Sequence, residues 1–158
     1  MAKNTLTPKP SDVSKPTLAL EPLDVFIGTW SIEGSHVALP GSVLRGHTTF
    51  EWLEGKRFLI QRERIEHPDV PDSISIIGAD DPATPLTQHY FDSRGVSRVY
   101  GMSLRDGIWK RWREAPGFSQ RTTATFSDDG RTIKEVIELS RDGVNWERDM
   151  EKTYTKIT

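Results

Sequence analysis

Acidic residues followed by glycine punctuate this chain at Glu54-Gly55, Asp106-Gly107, Asp129-Gly130 and Asp142-Gly143, with a longer break at Asp92-Ser93-Arg94-Gly95. Glycine enters the φ > 0 region that tight hairpins require, while Asp tolerates it and bonds its own backbone. No long helical period intervenes between these breaks. That pattern describes an antiparallel meander rather than βαβ units, which need a helix between strands. Strands are expected near 29–37, 43–53, 57–66, 73–79, 86–91, 96–104, 108–114, 118–126, 132–139 and 146–156. A meander of that size has two exposed edges unless it closes, and closure creates an interior that can hold a ligand. The expected fold is therefore all-β, a closed antiparallel up-and-down barrel, with a two-sheet sandwich as the competitor. The breaks HPDVPDS (67–73) and ADDPATP (79–85) are expected as rim loops.

Ahead of the strands, residues 1–20 (MAKNTLTPKPSDVSKPTLAL) hold Pro8, Pro10 and Pro16 and little to bury, as in an unstructured tail. EPLDVFIG then reads as a helical turn, with Pro22 near its start and Gly28 as its stop. The remaining chain, 21–158, has the length of one domain with its own core.

Composition excludes several classes. A formal net charge of −2 gives no field to attract nucleic acid or an anionic membrane. Cysteine is absent, which removes disulfides, a thiolate nucleophile and Cys-based metal sites. No apolar run is long enough for a membrane-spanning helix, and no secretory signal is visible. A cytoplasmic location without membrane insertion is the expectation. The stretch WKRWREAPGFSQR (109–121) looks at first like a basic-aromatic strip for nucleic acid. Trp109 and Trp112 differ by three positions, however, so in a strand they project from opposite faces and cannot form one stacking platform.

The segment LDVFIGTWSIEG (23–34), with Gly28-Thr29-Trp30 at its centre, resembles the opening of the calycin group, which includes lipocalins, fatty-acid-binding proteins and nitrobindin-like barrels. In these a helical turn leads into a Gly-x-Trp strand whose Trp plugs one barrel end. The run HYFDSRGVSRVYGMSL…GIWKRWREAPGFSQR (89–121) is similar to bacterial lipocalin-like domains of unassigned function. The likeness implies a barrel around a small-molecule cavity but no particular reaction. Nitrobindin-like barrels, a more distant resemblance, bind haem through a histidine near the domain's C-terminus. This chain departs from that pattern, because its histidines are His36, His47, His67 and His89. Haem with atypical ligation is accordingly a minority expectation, and no cofactor is the main one.

Strand parity sorts side chains into faces. A two-residue loop at Asp106-Gly107 puts Arg98, Tyr100, Met102, Leu104, Trp109, Arg111 and Arg113 on one face, which reads as the interior. Trp112 falls on the outer face, where it could contribute to a homodimer contact. If Phe91 opposes Val96 across DSRG, His89 joins the interior as well. Gln120, between Phe118 and Thr122, points inward, and so do Glu135 among Ile133, Ile137 and Leu139, and Trp146, Met150 and Tyr154 on the last strand. At Glu54-Gly55 two phases compete; the favoured one sends Phe50, Trp52, Leu59, Gln61 and Glu63 inward.

This interior suits a small, partly hydrophobic ligand with a polar or anionic group. Arg98 or Arg111 would receive a carboxylate or phenolate, or would instead pair with Glu63 or Glu135. Arg98-x-Tyr100 is loosely similar to the interior arginine and tyrosine of fatty-acid-binding barrels. The alternative is a barrel enzyme of cyclase or isomerase type, with His89 and Glu63 as its acid–base pair. No metal-ligand spacing or phosphate-cradling glycine loop occurs.

Overall fold

A computed structural model describes residues 20–79 and 85–158. A 3-10 helix (Glu21–Phe26) precedes ten strands: β1 (Gly28–His36), β2 (Leu44–Trp52), β3 (Leu59–Ile65), β4 (Ser73–Gly78), β5 (Leu86–Asp92), β6 (Ser97–Arg105), β7 (Ile108–Arg113), β8 (Ser119–Phe126), β9 (Thr132–Ser140) and β10 (Glu147–Lys156). Each strand pairs antiparallel with its neighbour in the chain, and β1 also pairs with β10 from Trp30↔Lys156 to His36↔Met150. The sheet is one closed ring, which removes the sandwich alternative and both free edges. No helix among the described residues is long and apolar enough to cross a membrane. The tail expected at residues 1–20 lies outside the described residues except for Leu20. That residue is buried, so the core begins one position earlier than expected. Residues 80–84 of the expected loop 79–85 likewise lie outside them.

The helix seals one end. Pro22 near its start fixes φ for the first turn, and Leu23 and Phe26 are its buried side chains. Phe26 stacks on Phe50 at 4.9 Å and meets Trp109 and Phe126 edge-on at 4.7 and 5.2 Å. The Trp30 indole N–H donates to the Phe26 carbonyl at 2.7 Å, tying helix to strand. Trp52 donates in the same way to Asp24 Oδ1 at 2.8 Å. This end is apolar and filled, so any cavity must lie toward the other.

Turn chemistry sets the register. At Asp106-Gly107 both residues have positive φ (53° and 72°), the signature of a type I′ two-residue loop, and Leu104 faces Trp109 as parity requires. Outside, Trp112 lies across Gly101, where a Cβ would fall 2.4 Å from the indole. The aromatic thus covers backbone that the glycine leaves bare. The Glu54-Gly55 hairpin adopts the expected phase, Phe50↔Gln61 and Trp52↔Leu59.

Two expected inward residues face outward. The break at Asp92 is a three-residue loop, because Asp92 N–H bonds the Val96 carbonyl and Gly95 takes φ 85°. The register therefore runs Phe91↔Ser97 and His89↔Val99, one step from the expectation. A one-residue slip reverses every side chain, so His89 is exposed and Gln88 and Tyr90 turn inward. On β10 a bulge between Arg148 and Met150 reverses the alternation upstream. Trp146 consequently sits on the outer face, with the Arg121 guanidinium 4.2 Å from its ring.

Phe26→Ala is expected to cost about 3–5 kcal/mol, as for other buried aromatics truncated in a packed core. Trp30→Phe, which loses the bond to the Phe26 carbonyl and leaves part of the buried indole's volume empty, should cost about 1–3 kcal/mol. Guanidinium titration of both variants checks the order.

Candidate functional site

The open end of the barrel holds a cavity of about 450 Å³. Strands β3 to β6 contribute Gln61, Glu63, Ser75, Gln88, Tyr90, Arg98 and Tyr100 to its wall. Strands β8 to β10 contribute Gln120, Thr122, Glu135, Ile137, Leu139, Met150 and Lys152, and β7 contributes Arg111. Leu39 from the β1–β2 loop and Val70 from the β3–β4 loop fold over part of the mouth. Thus the loop expected at 67–73 is a rim loop of this cavity.

Gln61, Glu63, Arg98, Tyr100, Arg111, Gln120, Glu135 and Met150 are brought together as the sequence led one to expect. Met102, Trp109 and Tyr154 point inward but are buried beyond the cavity wall. Trp52 is inward-facing at the sealed end, bonded to Asp24. His89 and Trp146 lie outside the barrel, so His89 and Glu63 form no acid–base pair. Lys152, Gln88, Tyr90 and His36 line the cavity without having been singled out. Lys152 shares the parity of Met150 and Tyr154, so its alternation was visible in the sequence. Gln88 and Tyr90 were hidden by the loop length at Asp92.

Two ion pairs cross the interior. Arg111 bonds Glu135, whose side chain is fully buried, and the Tyr154 hydroxyl donates to the same carboxylate. Lys152 bonds Glu63. Burial alone would raise the Glu135 pKa, but Arg111 and then Lys152 hold it below its ordinary 4.5. Arg111 is raised for the reciprocal reason: the Glu135 charge outweighs the effect of its own burial. Tyr154 is pushed well up, first by burial and then by Glu135. The Arg111 guanidinium also lies 4.1 Å from the centre of the Trp109 ring, so the pair rests on an aromatic base.

Nearer the mouth, Arg94 clamps Asp92 at 2.7 Å, and the Tyr90 hydroxyl donates to Asp92 at 2.8 Å. Arg94, followed by the Tyr90 bond, holds the Asp92 carboxyl well below the usual carboxylate range. Burial and that same bond raise Tyr90. His36 is engaged at both nitrogens: Nδ1 accepts from the Ala38 N–H at 3.0 Å and Nε2 sits 3.3 Å from Asp149. His47 and His89 are exposed on the outer face, and His67 accepts from the Asp69 N–H in its loop.

Arg98 differs from the other cavity-lining cations. Arg94, Arg111 and Lys152 each have a carboxylate partner, whereas among the described residues Arg98 has none. Its Nη1 donates to Gln120 Oε1 at 3.1 Å, and the Tyr100 hydroxyl donates to the same oxygen at 2.7 Å. Phe118 lies under the guanidinium at 5.1 Å. Its remaining N–H groups can receive an anion. Gln61 Oε1 and Gln88 Oε1 are buried in the wall without hydrogen-bond partners. Among the described residues no group of three or more His, Asp or Glu side chains is arranged to hold a metal ion.

No family model matches the sequence, and no curated protein matches it. Among solved structures the chain is similar to the crystal structure of Rv2717c from M. tuberculosis. The TM-score is 0.67 at 12% sequence identity, over 91% of this chain and 100% of that one. At this identity the likeness extends to the fold.

Glu135→Gln strands a buried guanidinium and should cost about 3–5 kcal/mol at neutral pH, whereas Glu135→Leu with Arg111→Met should recover most of the loss. Urea titration separates the two. Because the Glu135 and Asp92 carboxyls are depressed, the stability they contribute is present above their unfolded pKa values. It is lost as pH falls through the folded ones. The urea midpoint of the wild type should therefore hold down to about pH 5 and decline below it.

Proposed function

We propose that this barrel binds a small, partly apolar molecule with a polar or anionic group, in the manner of calycin-type barrels. The observation that carries this reading is Arg98, a cavity cation with a platform and an orienting amide but no carboxylate partner among the described residues. An arginine held in this way offers a fork of donors to a carboxylate or phenolate. The helical plug beside Gly28-Thr29-Trp30 supports the calycin-type assignment.

Catalysis by a His89–Glu63 pair has no support, because the two lie on opposite sides of the sheet. Haem is not the proposed ligand either. An axial nitrogen would have to come from His36, and both of its nitrogens are engaged.

Native mass spectrometry of the purified protein is expected to reveal a bound small acid. Arg98→Met should abolish binding of anionic ligands and leave the thermal unfolding curve in place, because Arg98 has no ion pair among the described residues. Binding that survives in Arg98→Met would sink the anion site. Adding one equivalent of hemin should give no sharp Soret band, and a sharp band would restore the haem reading.

A further inference from the structure

Two loops at the mouth share one turn, although they join different strands. In the β1–β2 loop His36 Nδ1 accepts from the Ala38 N–H at 3.0 Å, and the Leu39 N–H bonds the His36 carbonyl at 3.0 Å. In the β3–β4 loop His67 Nδ1 accepts from the Asp69 N–H at 3.2 Å, and the Val70 N–H bonds the His67 carbonyl at 3.1 Å. Each histidine closes its turn with its own ring. The apolar residue three positions on, Leu39 or Val70, is thereby carried to the cavity. Asn and Asp close the same kind of turn with a side-chain oxygen. A histidine in that place adds a proton that can come and go.

Nδ1 accepts only while the ring is neutral with its proton on Nε2. Protonation makes Nδ1 a donor, and N–H then faces N–H in both loops. The surrounding charges decide which part yields. Asp149 of β10 stands 3.3 Å from His36 Nε2, so it favours the charged ring and keeps the ring in place while the loop lets go. Deeper in that wall Lys152 is already bonded to Glu63. Asp69 Oδ2 lies 4.0 Å from His67 Nδ1 and offers the new N–H an acceptor, which leaves the Asp69 N–H without one. Beside His67 stand Arg64, which opposes its charge, Glu66 and Asp72, which favour it, and His47.

We propose that His36 and His67 are a pH-sensitive double latch on the mouth of the cavity. The bonds to Ala38 and Asp69 exist only with neutral rings, so the latched state holds above the titration of the two histidines. It is lost as pH falls through that titration, within the range of about pH 5 to 8 where histidine changes charge. Release is a local opening, because the closed ring of strands and its interior ion pairs do not take part. The latch acts whichever molecule the cavity takes.

The test is NMR of 15N-labelled protein from about pH 8 to about pH 5.5. Ring-nitrogen signals follow each histidine, and backbone order parameters follow the loops. The order parameters of Leu39 and Val70 should fall from about 0.85 at the higher pH to below about 0.6 at the lower one. Their midpoints should match those of His36 and His67. The double variant His36→Asn with His67→Asn keeps an acceptor oxygen in each turn but has no titratable ring, so its loops should stay ordered throughout. Wild-type loops that remain ordered at the lower pH overturn the proposal, and so do loops that loosen with the midpoint of His47 or His89. Loosening of the double variant at the lower pH overturns it as well. The wild-type midpoints decide by themselves should the variant not fold.

Discussion

The 3-10 helix packed into one end closes this barrel, tied there by the hydrogen bond from the Trp30 indole to the Phe26 carbonyl. That bond fixes the helix against the first strand and so seats Phe26 among Phe50, Trp109 and Phe126. With that end packed to aromatic contact distances, no interior space remains there. Every polar group that enters the lumen is displaced toward the opposite mouth. The location of the cavity follows from the seating of this helix.

Much of the fold was legible because turns, not strands, carry the information. Asp106-Gly107 can hardly form anything but a tight hairpin, and from it the inward positions of Arg98, Tyr100, Met102, Trp109 and Arg111 follow by alternation. The same logic failed where loop length was ambiguous. Asp92-Ser93-Arg94-Gly95 can close as a four-residue loop or as three residues after a paired Asp92, and the two differ by one step of register. Local sequence does not separate them; the side chain of Asp92 does, by accepting from the Arg94 and Val96 N–H groups and the Arg94 guanidinium. Trp146 shows a second limit, because a bulge leaves no mark in the hydrophobic pattern upstream of it. Pairing of an interior arginine with Glu63 or Glu135 was among the expectations, and Arg111 meets Glu135, but parity did not say which carboxylate it would meet. Alternation says that Arg111 and Glu135 both face in, but only barrel closure and depth say that they meet.

The interior is a mixture of satisfied and unsatisfied chemistry. Arg111 with Glu135, Lys152 with Glu63 and Arg94 with Asp92 are closed accounts of charge, and they hold the wall in one arrangement. Arg98 has no carboxylate partner among the described residues, and the Gln61 and Gln88 carboxamide oxygens are buried without a hydrogen bond. Interiors that serve only stability tend to satisfy their polar groups, because each orphan costs free energy. In this wall three cations are paired with carboxylates and one, among the described residues, is not.

The stacking of Arg111 on Trp109 carries a practical consequence. The chain has five tryptophans. Trp30 and Trp52 belong to the sealed end, and Trp112 and Trp146 to the outer surface. Trp109 alone lies directly beneath a cation of the cavity wall, at 4.1 Å. Anything that draws the Arg111 guanidinium away from that ring, or adds a negative charge above it, changes the local field on that indole. Trp109 thus gives an optical reading of where the Arg111 guanidinium stands, through one cation–ring contact.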